Sequence, residues 1–161
     1  MVATPIPISQ RFFAPGNTGF LFLPAIAATT LVPTTTEITA GTDLTREVED
    51  LAGWTVTTAF IETKDASTPV RPQLAGAVTY AGSSLTFNGS KNGTDVRTIL
   101  TRGLSGFMVI GDAGVGTGKK ADVFPIVVGA VAKLRNLDNA NFLVRVDFGI
   151  TGVPAEDITL P

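Results

Sequence analysis

Apolar and polar positions alternate most cleanly near the C-terminal end of the chain. Phe142, Val144, Val146, Phe148 and Ile150 interleave with Leu143, Arg145, Asp147, Gly149 and Thr151. A period of two places the two sets on opposite faces of a strand. Residues 121–132 instead carry Val123, Phe124, Ile126, Val127, Val128 and Val131 with little polar interruption, as expected of a long strand covered on each face. Pro125 inside it demands an edge or a bulge. The runs 20–23 and 107–110 read as short buried strands, the first ended by Pro24. Residues 54–62 are β-branched and aromatic and predict another strand. Segments 37–42, 77–80 and 84–87 are further strand candidates. Leu44, Val48 and Leu51 fall at i, i+4 and i+7, a helical face bounded by Gly41 and Gly53.

The best helix signal spans 94–102. Thr94 can cap it, Asp95 sits at its positive end, and Val96, Ile99 and Leu100 form the stripe to be buried. Arg102 lies at its negative end and Gly103 just past it. The remaining segments read as connections. Residues 1–19 form an extended arm, because Pro5, Pro7 and Pro15 forbid helix. Residues 25–36 and 64–76 are Thr- and Pro-rich links, 111–118 is a glycine loop, and a polar tail follows Pro154. The expectation is a single domain over 1–161: arm 1–19, sandwich with helix 20–151 and tail 152–161. Its class is mainly β, a β-sandwich with one short flanking α-helix at 94–102.

Composition narrows the functions. Charged residues make up 16% of the chain, against about 25% in an average soluble domain. So few charges suit a Thr/Ser-coated sandwich or a subunit that buries much of its surface in an assembly. A membrane span is not expected, since the apolar stretch 20–32 is broken by Pro24, Thr29 and Thr30 and falls short of the ~20 residues required. A signal peptide is not expected either. With no His and no Cys, Ser-His-Asp and thiol catalysis, zinc hydrolysis, thiolate metal sites and disulfides are excluded. A net charge of −2 argues against tight binding to nucleic-acid phosphates.

Five features that could carry chemistry have plainer readings. Residues 113–120 resemble a phosphate-binding loop, but Lys120 occupies the Ser/Thr position and a Pro-containing strand follows in place of a helix. Ser105 within Gly103-Leu104-Ser105-Gly106-Phe107 is out of register for a nucleophile elbow and lacks a histidine. Glu47, Glu49 and Asp50, with Arg46 beside them, read as a solvated face rather than a cation site. Trp54 reads as core, and the Asn-Gly pairs at 88–89 and 92–93 as turns. No enzyme, cofactor or metal reading survives.

Several segments together are more specific. They are Glu37-Ile38-Thr39-Ala40-Gly41-Thr42-Asp43-Leu44-Thr45, Leu51-Ala52-Gly53-Trp54, Asp95-Val96-Arg97, Gly106-Phe107-Met108-Val109-Ile110, Asp122-Val123-Phe124-Pro125-Ile126-Val127-Val128 and the final Phe148-Gly149-Ile150-Thr151. Their order and spacing resemble the major tail tube proteins of long-tailed bacteriophages, particularly those infecting actinobacteria. The resemblance implies a structural virion protein without catalysis, made in the bacterial cytoplasm. Six copies would form a ring, and rings would stack into a hollow tail for DNA delivery. Implied partners are further copies of the chain, the tape measure protein, tail-terminator and baseplate proteins, and phage DNA passing without specific binding; no membrane is implied. A head–tail joining or capsid decoration protein, or a monomeric binding sandwich, is the alternative.

Two sets of residues are candidates for this role. Ile6, Ile8, Phe12 and Phe13 of the arm, Leu31 and Val32 of the first link, and Val70 and Pro72 of the second are the assembly-interface candidates. Their segments are too apolar or too Thr/Pro-rich for plain solvent loops, and a neighbour or the chain's own body must cover the arm. Arg145, Asp147 and Thr151, on the polar side of the last strand, are the lumen-facing candidates. Alternation alone leaves that side in the bore or on the outer wall, and Arg145 argues against a purely acidic lining.

Overall fold

A computed structural model describes residues 6–67, 69–93, 95–135, 137 and 141–161. Ten strands form: β1 (Gly19–Leu23), β2 (Thr42–Asp43), β3 (Val48–Ala52), β4 (Val56–Glu62), β5 (Gln73–Tyr80), β6 (Ser83–Asn88), β7 (Ser105–Gly111), β8 (Lys120–Leu134), β9 (Leu143–Ile150) and β10 (Ala155–Thr159). One α-helix, α1 (Thr35–Ala40), and one 3-10 turn, Val96–Thr98, complete the elements. Eight strands make one antiparallel sheet in the order β2-β1-β7-β8-β9-β6-β3, with β10 also on β8. β4 and β5 pair only with each other.

The large sheet curls around its apolar side. Phe20 and Phe22, Met108 and Ile110, Phe124, Ile126 and Val128, Val144, Val146 and Phe148, and Leu85 and Phe87 close into one buried cluster. These are alternate residues of five strands, so each strand contributes one pleat face. On β1, β7 and β8 the opposite pleat is also apolar: Leu21, Leu23, Val109, Ala121 and Val123 form a second cluster with Leu160. Ile38 of α1 and Leu31 of the link before it pack over that cluster. The expectation of strands covered on both sides holds here, and the covers are α1 and the chain's own C-terminal segment.

β8 is where the sheet turns. Its first residues pair with β10, Ala121 opposite Ile158, and its last with β9, Leu134 opposite Leu143. Pro125 lies between those partners. Its carbonyl accepts the N–H of Thr151, so the missing proline N–H falls where β9 has ended and β10 has not begun. Register slips between Val128 and Val131, a bulge that bends the strand.

Four expectations are corrected. Residues 37–42 are not a strand; most belong to α1. Thr34 caps that helix, Glu37 answers Thr34 in a reciprocal capping box, and Glu37 also accepts the Ala27 N–H at 2.7 Å. Those backbone N–H groups of Thr34 and Ala27 hold the Glu37 carboxyl below its ordinary range. Gly41 then lets α1 lie close to β1, because a Cβ there would strike Leu23. Residues 44–51 are not helical. Val48 pairs with Phe87 and Leu51 with Leu85, and a bulge between them puts residues three apart on one face of β3. That spacing imitates a helix.

The helix expected at 94–102 is only the turn Val96–Thr98, and Thr94 lies outside the described residues. Asp95 caps the turn by accepting the Arg97 N–H. It also binds the Arg97 guanidinium at 2.6 Å and the Ser90 N–H at 2.9 Å. These bonds hold the loop against the body while Val96 and Leu100 enter the core. The polar tail, finally, is a strand: β10 lies along β8, and Leu160 is buried.

Candidate assembly surfaces

At residues 53–54 the chain leaves the body. Gly53 and Trp54 both adopt left-handed backbone, φ 80° and 61°, a costly geometry for a tryptophan. It is held by three attachments. The Trp54 backbone N–H donates to Ser83 Oγ, its indole N–H donates to the Ser84 carbonyl, and its ring packs edge-on against Phe124 with centroids 5.1 Å apart. Trp54 is thus part of the core margin, as its sequence setting suggests.

Beyond it, β4 and β5 project as a hairpin. Val56, Phe60, Ile61, Leu74 and Val78 are all exposed, Phe60 at 65%. Pairing places Val56 and Phe60 of β4 on one face with Val78 of β5; Ile61 and Leu74 are paired on the other. Neither face is covered by the body. Within the hairpin, the Thr57 and Thr79 hydroxyls meet at 3.0 Å and Arg71 reaches Glu62 at 3.5 Å. Sequence reasoning found β4 and the 77–80 end of β5, but it read residues 73–76, the start of β5, as part of the 64–76 link and missed that the two strands form a free-standing unit. The available signal was apolar residues at 56, 60, 61, 74 and 78 with no partner segment left to cover them.

The interface candidates separate on inspection. Ile6 and Ile8 are almost fully exposed, and Phe12 and Phe13 largely so. A turn after them fixes the arm's exit: Asn17 Nδ2 donates to the Phe13 carbonyl, and the Asn17 N–H to the Ala14 carbonyl. Val70 and Pro72 are exposed near the hairpin end, where the Pro72 carbonyl accepts from Thr63. Val32 is at the limit of exposure. Leu31, at φ 57°, turns toward the second cluster and serves the body's own packing.

The lumen candidates share one surface. Arg145 pairs with Thr86 and Asp147 with Ser84 across β9 and β6, so the four side chains stand on the outer pleat opposite the core. Arg145 Nε contacts Asp147 Oδ1 at 3.0 Å. Thr151 follows at an exposed position just past β9. Arg145 is exposed on this face, and Ser84, Thr86 and Asp147 are half-buried.

Among the described residues no group of His, Cys, Asp or Glu could hold a metal ion. The glycine loop leads into β8 rather than a helix, and its Gly118 N–H donates to the Leu160 carbonyl. Glu47, Glu49 and Asp50 are exposed to solvent. No helix among the described residues is long and apolar enough to cross a membrane.

Comparison with known proteins accords with this architecture. A chain in the tail of an empty GTA particle, determined with helical refinement and C6 symmetry, is 12% identical, with a TM-score of 0.56 over 87% of this chain and 96% of that one. A chain of the six-fold symmetrised anti-feeding prophage baseplate is 13% identical, with a TM-score of 0.52 over 94% and 95%. At such identities the likeness is one of fold. No curated protein matches in sequence. The family model described as phage tail tube protein matches residues 6–161, and the chain belongs to that family.

Proposed function

We propose that this protein is the subunit of a phage tail tube, closing six to a ring and stacking ring on ring. One observation carries the reading: the body completes its own core, yet a hairpin and an arm project from it with apolar side chains bare. A lone soluble protein gains nothing from such surface, whereas a subunit buries it against its neighbours. On this reading the hairpin, Ile6, Ile8, Phe12 and Phe13 are covered by other copies, with Val32, Val70 and Pro72 at the margins. The role is structural, without catalysis. Tape measure protein fills the bore before release, and tail-terminator and baseplate proteins close the two ends.

The polar outer pleat of β9 and β6, with Arg145 exposed, supports placing Arg145, Asp147 and Thr151 in the bore. Four strands from each of six copies give about 24 strands at ~4.8 Å spacing and ~40° tilt, hence a backbone diameter of about 48 Å. Side chains leave roughly 35–40 Å, wide enough for a duplex. Arg145 is neutralised by Asp147 at 3.0 Å, so that pair presents DNA with no net attraction. A ring of six chains at −2 each carries about −12, which favours passage over retention.

Electron microscopy of the purified protein at rising concentration tests the function. Rods or six-fold rings are expected; monomers at every concentration, or particles of another shape, contradict it. Asp147→Lys in assembled virions tests the bore assignment and is expected to slow DNA ejection, most at low salt. Unchanged ejection would move that face to the outer wall.

A further inference from the structure

The four-stranded limb of the sheet ends in two open edges of opposite charge. On one side β3 pairs with β6 alone, and Glu47, Glu49 and Asp50 lie exposed along it, with Arg46 adjacent. On the other, the β7 ladder stops at Val127, and the last bonds on that side join Val128 to Leu104 and Gly103. After the bulge, residues 131–134 pair only with β9. Lys133 and Arg135 are exposed there. None of Glu47, Glu49, Asp50, Lys133 and Arg135 joins an ion pair among the described residues.

Strand direction makes these edges complementary in a second way. β8, β9, β6 and β3 alternate in direction, so β3 runs opposite to β8. An edge β3 placed beside the edge β8 of another copy therefore continues the same antiparallel ladder. That contact is head-to-tail, the kind that generates a ring when its rotation closes. Pairing of like edges would instead give a two-fold dimer that ends growth.

Resting on the tail tube reading, we propose that Glu49 and Asp50 on the β3 edge of one copy face Lys133 and Arg135 on the β8 edge of the next, and that this charge opposition selects ring closure over pairing of like edges. Two β3 edges brought together would juxtapose mostly carboxylates, with Arg46 only beside them, and two β8 edges would juxtapose Lys133 and Arg135. Each exposed pair contributes little by itself; the discrimination comes from the repulsion that the wrong pairing meets. Edge charges also have a simpler use, keeping an isolated strand from aggregating. Charge reversal separates the two roles, because a reversed edge is still charged and still protected.

The test uses Glu49→Lys with Asp50→Lys, and Lys133→Glu with Arg135→Glu, in the full chain. All four sites are exposed, and circular dichroism confirms each fold. At low salt, each reversed chain alone should need about tenfold more protein to form tubes. A chain carrying all four substitutions should recover assembly. So should an equimolar mixture of the two reversed chains, since a ring of six accommodates strict alternation. Reversed chains that assemble like the parent, or a mixture that fails to recover, would overturn the proposal while leaving the tube reading intact. A parent chain that forms neither rings nor tubes would overturn both.

Discussion

The body sheet and the β4–β5 hairpin are built from the same materials and meet opposite fates. Both are antiparallel, and both carry aromatic and β-branched residues. In the body, Phe87 and Val146 are sealed between curled strands. In the hairpin, Phe60 and Val78 share a face that nothing in the chain covers. Two strands alone are marginal in water and need a third surface for independent stability. The body therefore folds for itself, and on the proposed reading the hairpin's missing surface is supplied by another copy.

Substitutions sharpen this contrast when ordered by their cost to the isolated chain. Phe87→Ala removes a fully buried ring and should destabilise the monomer by about 3–5 kcal/mol in denaturant unfolding. Asp95→Asn comes next. The Arg97 guanidinium, together with the backbone N–H groups of Ser90 and Arg97, lowers the Asp95 carboxyl to about 2. Its folded value lies below the unfolded one, so the stabilisation is complete above pH ~4 and is lost as pH falls through ~2. The variant should lose about 2 kcal/mol at neutral pH, and its gap from the parent should close on acidification. A gap independent of pH would show that the Asp95–Arg97 pair does not hold the loop.

Phe60→Asp combined with Val78→Asp should have the smallest effect on the monomer, within about 0.5 kcal/mol. In electron micrographs it should nonetheless abolish tubes. Normal tubes from that variant would mean that the hairpin is not an interface.

The sequence revealed the body more readily than the projecting elements, for physical reasons. Alternation from Val144 to Phe148 survives in β9 because one pleat is buried and the other is bare. The same test failed in β3, where the bulge at Glu49 and Asp50 spaces Val48 and Leu51 like a helix. α1 was legible in the Thr34-Thr35-Thr36-Glu37 capping pattern, but the β-branched residues beside it favoured a strand. At 94–102 the sequence offered Thr94 as the cap, but Asp95 caps the turn and ties itself to Arg97 and Ser90, and the backbone goes no further than one 3-10 turn. β10 was hidden because its partner is the distant edge of β8, 35 residues away at Asp157 and Asp122. The arm candidates were visible as apolar residues among prolines. Leu31 differs from them, since a left-handed turn packs it partly against the body.

Hydrogen exchange compared between monomer and assembled tube tests the central claim most directly. The account predicts that β4 and β5 amides exchange fast in the monomer and become strongly protected in the tube, while β1 and β7 are slow in both. Equal, rapid exchange of the hairpin in both states would contradict it.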